Sequence, residues 1–178
     1  YQRSLYQSMR TKARRIVSDL RKVLDVVPRE QFPFANTIVM QEQKILDHFN
    51  LLLKESFSSL KIRIHGHFGL DQFLCTGNDF VIKDFRGPVD IPLSERRLKR
   101  SPLRDVAGVI YSFSKVTFTA LHRSLKVQLP NPGAIEQWAW QWFSYNVSVF
   151  MDAYINTIDD SSPKLFEQSD IRKLLKIY

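Results

Sequence analysis

The feature that most constrains this chain is a change of hydrophobic period. Through the first sixty residues apolar side chains recur at steps of three and four. From Leu60 to Phe85 they alternate in short β-type runs, and from Leu103 they return to the helical step. Steps of three and four mark one buried face of a helix, whereas alternation marks a half-buried strand. A lone strand pair is marginal in water and needs a face to pack on, which the flanking helices supply. The expected fold is therefore mainly α with a small β element (α+β). It is read as one domain over residues 1–178: a helical hairpin over 1–59, a β element over 60–86 and a helical bundle over 101–178.

Within that frame, Leu5, Met9, Ala13, Ile16, Leu20, Val23 and Val27 trace the first helix, and Pro28 and Pro33 bracket its end. A second helix is predicted to turn Ile38, Ile45, Phe49, Leu52 and Phe57 inward. In the middle, strands are predicted over "LKIRIHG", "QFLCT" and "DFVIKDF", with Thr76-Gly77-Asn78-Asp79 as the hairpin turn between the last two. Ser101-Pro102 has the form of a helix start. The long helix after it carries Leu103, Val106, Ala107, Ile110, Phe113, Thr117, Ala120 and Leu121. Pro130-Asn131-Pro132-Gly133 stops and restarts the chain. An aromatic helix follows, with Trp138, Trp142, Phe143, Phe150 and Tyr154 expected inward and Trp140 elsewhere. Ser161-Ser162-Pro163 introduces a last helix through Leu174, Leu175 and Tyr178.

Composition narrows the classes open to such a fold. Hydrophobic residues at 44% and charged residues at 25% are ordinary globular values. A chain of this length buries roughly 70% of its unfolded surface, so it needs no disulfide or metal to fold. One cysteine, Cys75, excludes an internal disulfide and fits a reducing, cytoplasmic setting; on a strand it is expected to be a small buried hydrophobe. Charges break every apolar segment before about 18 residues, so no transmembrane helix and no membrane partner are expected. The opening "YQRSLYQSMR" lacks the apolar run of a signal peptide. It also lacks an initiator methionine, as expected of a piece of a longer protein.

The net charge is +8. Its two basic runs, Arg10, Lys12, Arg14 and Arg15, then Arg96, Arg97, Lys99 and Arg100, read as a solvated helix face and a loop that ion-pairs within the fold. No nucleic-acid motif accompanies them, so nucleic acid is not an expected partner. His48 and His122 read as surface or packing residues. His65 and His67 have a metal-compatible spacing, but no cysteine or third histidine completes a zinc site.

The chemistry concentrates in "RIHGHFGLDQFLCTGNDFVIKDF", Arg63 to Phe85. Phosphoryl transfer asks for a carboxylate to orient the attacking hydroxyl, oxygen ligands for Mg²⁺ and a cradle for the nucleotide. A His-Gly turn, an amide and a strand ending in Asp-Phe, joined by a tight hairpin, bring such groups together. Gln72 and Asp84 are hard oxygen donors of the kind Mg²⁺ takes.

This segment, with "TGNDFVIKDF", "PLSERRLKRSPLRDVAG" and the opening "YQRSLYQSMR", resembles the C-terminal lobe of bacterial maltokinases, including those fused to trehalose synthase. These belong to the aminoglycoside-phosphotransferase-like kinases, so the resemblance implies a protein-kinase-like C-terminal lobe. It implies ATP-dependent phosphorylation of maltose to maltose 1-phosphate, in trehalose and glycogen metabolism. ATP and Mg²⁺ are the implied cofactors. Maltose or another sugar, a separate N-lobe and a trehalose synthase are the implied partners. Carried over by position, Gln72 and Asp84 match the two metal ligands. His65 and Gly66 match the start of the catalytic loop, and Asp105 matches the acid that braces it.

The same comparison marks departures. The family pattern reads His-Gly-Asp-Tyr-His-Leu-Gly-Gln, and this chain reads His65-Gly66-His67-Phe68-Gly69-Leu70-Asp71-Gln72. His67 stands at the catalytic Asp position, and Asp71 is the candidate substitute carboxylate. Phe-Glu-Gly after the second metal ligand is here Phe85-Arg86-Gly87. No β-rich, lysine-bearing segment precedes Arg63. Two readings stay open: an incomplete or impaired maltokinase-like enzyme, or a pseudokinase-like domain that binds a sugar or a trehalose synthase without transferring phosphate. Aromatics of the Trp138–Trp142 region are available to stack on a sugar ring in either.

Overall fold

The computed structural model describes residues 2–54, 56–57, 59–87, 89, 91–126, 131–160 and 164–178. Contacts group the chain into two compact units. These are Tyr1–Phe57 with Ile177, and Ser58–Lys176 with Tyr178.

In the first unit α1 (Gln2–Val23) packs against α2 (Phe32–Met40), α3 (Glu42–Phe49) and α4 (Leu51–Lys54). Two details differ from expectation. The second helix is in three pieces, jogged at Gln41, where ψ is 10°, and again at Asn50. A stripe with a mean step near three and a half tolerates such jogs, so periodicity does not register them. On α1 the buried position is Val17, while Ile16 is 62% exposed. The inward line runs Leu5, Met9, Ala13, Val17, Leu20, in the steps of four and three of a straight helix.

In the second unit the β element is a two-stranded antiparallel hairpin, β1 (Phe73–Cys75) and β2 (Phe80–Ile82), with Phe73 opposite Ile82 and Cys75 opposite Phe80. Thr76 N donates to Asp79 O at 2.8 Å, and Gly77 takes φ +99° to close the turn. The expected strand over "LKIRIHG" is a single bridge: Ile62 and Arg100 exchange both backbone hydrogen bonds, at 3.0 and 2.9 Å. That bridge pins the chain before His65 to the chain entering the long helix. Cys75, expected inside, is exposed, because among the described residues no second layer covers that face of the hairpin.

After the short α5 (Leu93–Arg96), α6 (Leu103–Lys126) and α7 (Pro132–Asp159) form the body of the unit, and α8 (Gln168–Ile177) ends it. Leu103, Val106, Val109 and Thr117 are the buried positions of α6. Asn131, at φ +59°, accepts from Ala134 N at 3.3 Å and caps α7. The tryptophans correct an expectation: Trp138 is 72% exposed, and Trp140 and Trp142 are also exposed. The inward line on α7 runs Ile135, Ala139, Phe143, Phe150, Tyr154 and Ile158, one residue beyond each expected tryptophan. Side-chain bulk had suggested a direction that the helical phase sets otherwise. Trp142 still meets Phe113 of α6 edge-on, ring centroids 5.9 Å apart. The predicted restart at Pro130 and the Ser161-Ser162-Pro163 helix start lie outside the described residues. Among the described residues no helix is long and apolar enough to cross a membrane.

Candidate functional site

The loop from His65 to Gln72 is held by one face of α6. Asp105, in the first turn of that helix, accepts from His65 N through Oδ2 at 2.7 Å and from Gly66 N through Oδ1 at 2.9 Å. One carboxylate thus satisfies two consecutive amides, and Gly66 turns the chain at φ +81°. Two turns further along, Ser112 Oγ accepts from Leu70 N at 2.9 Å. Between them Gly108 lies so close to the Phe68 carbonyl that a Cβ would collide with it. Asp105, Gly108 and Ser112 form an i, i+3, i+7 line of polar and small residues along one side of α6. Gly108 and Ser112 were missed from the sequence, and their helical spacing from Asp105 is the signal that marks them.

The hairpin is tied to the same loop. Lys83 N donates to Gln72 O at 3.0 Å, and His65 Nε2 lies 2.8 Å from Lys83 O. Since a carbonyl only accepts, Nε2 carries the proton, which leaves Nδ1 buried without a partner. The ring sits between Phe68 and Phe85, at centroid distances of 5.2 and 5.1 Å. His65 is thus a structural pin between loop and hairpin.

Behind the loop a cavity of about 290 Å³ is lined by Phe68, Val106, Phe150 and Tyr154 among others. The Tyr154 hydroxyl is buried with no hydrogen-bond partner. Its burial, and then the nearby Asp105 charge, push its pKa up to about 12. Both effects disfavour the phenolate.

The groups proposed for chemistry are arranged differently. His67 is exposed and, with Asp71, lines an open cleft of about 770 Å³ running along α6 past Tyr111 and Lys115. Asp71 accepts from Gln72 Nε2 at 2.8 Å, which orients the amide and leaves Gln72 Oε1 buried and unpartnered, with the residue 5% exposed. Asp84 adopts φ +61°, a left-handed conformation that costs a non-glycine residue about 1–2 kcal/mol. Backbone strain of this kind concentrates at functional sites and switch points. Its carboxylate is engaged by Arg86, Nε to Oδ1 at 3.1 Å.

These residues do not fit a divalent cation as they stand. Gln72 offers a free oxygen, but Asp84 already holds an internal cation, and a second positive charge beside it is repelled. Among the described residues no group of three or more histidine, cysteine or acidic side chains is placed to hold a metal.

No family model matches the chain. Among solved structures it is similar to a glucosamine kinase in complex with glucosamine, ADP and inorganic phosphate, with a TM-score of 0.68 at 21% identity. Two further crystal forms of glucosamine kinase match with a TM-score of 0.67 at 20% identity. In the first, the match covers 97% of this chain and 38% of the kinase, so the chain spans well under half the length of the protein it resembles. What it shares with these enzymes is the fold: a kinase-like, mainly helical architecture with a small two-stranded sheet.

Proposed function

We propose that this chain is a sugar-kinase-like domain that recognises a sugar and a nucleotide phosphate at the His65–Gln72 loop, without phosphoryl transfer at an enzyme's rate. The observation that carries the reading is the Asp84–Arg86 pair, which occupies with a guanidinium the carboxylate that the maltokinase resemblance assigns to Mg²⁺. Two features support it. His67, at the position of the catalytic acid, is exposed and brings no negative charge to orient an acceptor hydroxyl. The loop amides of His65, Gly66 and Leu70 are nevertheless held by Asp105 and Ser112, so the recognition surface is kept in shape independently of the chemistry. Maltose is the proposed acceptor-site ligand and ATP the proposed nucleotide. A trehalose synthase and a separate N-lobe are the proposed protein partners.

A second reading is slow maltokinase-type transfer, favoured by the presence of Asp71 in the same cleft as His67. In that reading a ring nitrogen of His67 takes the proton of the acceptor hydroxyl. The oxygen forms a bond to the γ-phosphorus, and the bond to the bridging oxygen breaks as ADP leaves. A positioned base contributes roughly 10²–10⁴-fold, so a displaced one leaves a measurable remnant.

The two readings part in one assay. The protein, joined to any native N-lobe, is mixed with ATP, Mg²⁺ and maltose or glucosamine, and sugar phosphate is measured by ³¹P NMR. The binding reading expects no turnover from the natural sequence and a gain in the His67→Asp, Arg86→Gly double variant. Turnover by the natural sequence overturns it.

A further inference from the structure

On the other side of the His65–Gly66 turn lies a cavity of about 800 Å³. Arg63, Arg86, Arg96, Arg97, Arg100 and Arg104 all line it. Its acidic content is low. Among the described residues Glu95 is the one carboxylate lining it and sits 3.7 Å from Arg100, while Arg86 is paired with Asp84. Arg63, Arg96, Arg97 and Arg104 have no carboxylate within ion-pair distance among the described residues. Arg96 Nη1 is spent on the Arg86 carbonyl at 2.9 Å, but its Nε is buried with no partner among the described residues. Ile64, Phe85, Leu93 and Leu98 supply an apolar part of the same wall.

Guanidinium groups gathered around one concavity repel each other, and the low-dielectric walls strengthen that repulsion. An entering dianion removes it. Planar forks of N–H donors match the oxygens of a phosphate two at a time, which a chloride or a carbohydrate hydroxyl does not reproduce. The volume is in the range of small-molecule sites and larger than one inorganic phosphate needs. The apolar wall leaves room for a ring attached to the phosphate.

We propose that this arginine-lined cavity is a binding site for a phosphate-bearing small molecule of at least two negative charges, a sugar phosphate or a nucleoside diphosphate. It is separate from the cleft of His67 and Asp71, with which it shares only Gly66 and Arg104. The inference stands whether or not phosphate moves at His67. Because His65 and Gly66 contribute to its wall, an anion held there also stiffens the turn that carries His67.

The test is isothermal titration of the full chain, without Mg²⁺, in about 0.15 M salt so that diffuse surface attraction is screened. Pyrophosphate, ADP and a hexose 6-phosphate are the probes, and maltose and glucosamine the controls without phosphate. Binding by a phosphate probe is expected, and the Arg63→Gln, Arg97→Gln double variant is expected to weaken it about tenfold or more, the value of one charge-assisted contact. Tighter ADP than pyrophosphate identifies the nucleotide as source, and a tighter hexose 6-phosphate identifies the sugar phosphate. The Lys12→Gln, Arg14→Gln variant on α1 is expected to leave the affinity unchanged. Should the double variant not fold by circular dichroism, Arg97→Gln alone, at an exposed position, is titrated instead. Absence of binding by all three probes overturns the proposal, as does an equal loss in the α1 variant, or a loss that appears in His67→Asn and Asp71→Asn but not in the arginine variant, which would place the phosphate at the His65–Gln72 loop instead.

Discussion

The residues of the His65–Gln72 loop and of the chain just after β2 fall into two halves built by different rules. The half made of His65, Gly66, Phe68 and Leu70 is pinned at every step, by Asp105, Ser112, Gly108 and the Lys83 carbonyl. The half made of His67, Asp71, Asp84 and Arg86 faces solvent, and its charges are absorbed by one another or by Gln72. Shape and chemistry are therefore separable here. A phosphotransferase-like turn persists because its amides are satisfied from behind, and its reactive positions can change without disturbing that support.

Breaking the pinned half should have the largest effect. Asp105→Ala strands two amides at once, and at about 1–3 kcal/mol for each unsatisfied buried group a loss of several kcal/mol is expected, read as a large fall in the urea midpoint. Asp105→Asn keeps one acceptor and should fall between. A fall of less than about 0.5 kcal/mol in Asp105→Ala, the ordinary range for surface changes, would show that the support lies elsewhere. Next comes Gly108→Ala, whose methyl meets the Phe68 carbonyl. Forced contacts of this sort cost about 1–3 kcal/mol, against the small gain alanine normally brings to a helix, and a more stable variant would refute the close approach.

Tyr154 tests the rear wall through pH. Its folded pKa of about 12 lies above the ordinary tyrosine value of 10.0. The neutral hydroxyl is thus favoured by folding, and the contribution is fully present below pH 10. It is lost as pH rises from 10 through about 12. Tyr154→Phe should flatten the stability profile in that window while leaving stability at pH 7 equal or slightly higher, because the removed hydroxyl has no partner. Denaturant titrations across pH 7–12 read both arms.

The smallest effects belong to the exposed half. Arg86→Gly removes an ion pair whose side chains are 80% and 40% exposed, and such pairs contribute about 0–1 kcal/mol. The melting curve should hardly move, yet Asp84 becomes free, so titration calorimetry should detect Mg²⁺ binding that the natural sequence lacks. Equal Mg²⁺ affinity in both proteins would remove the Asp84–Arg86 pair as the reason the cation is disfavoured.

The sequence by itself determined the order of elements, because hydrophobic period and turn residues are local. The helices around Leu20 and Val106, the Thr76–Asp79 turn and the restart at Asn131 are all legible from neighbours a few residues apart. It also brought forward His65, Gly66, Asp84 and Asp105, since their order along the chain matches a known pattern. Tertiary structure decided which way side chains face and what they meet. Trp138 turned out and Ala139 turned in because phase along α7 is set by packing against α6, not by side-chain size. The "LKIRIHG" run became one bridge because its partner is Arg100, 38 residues away, and among the described residues no second strand extends the ladder. Gly108 and Ser112 gained their role only when the loop folded against α6. The six arginines, spread from 63 to 104 in sequence, became one cavity wall only when the bridge at Ile62 brought the two ends of that stretch together.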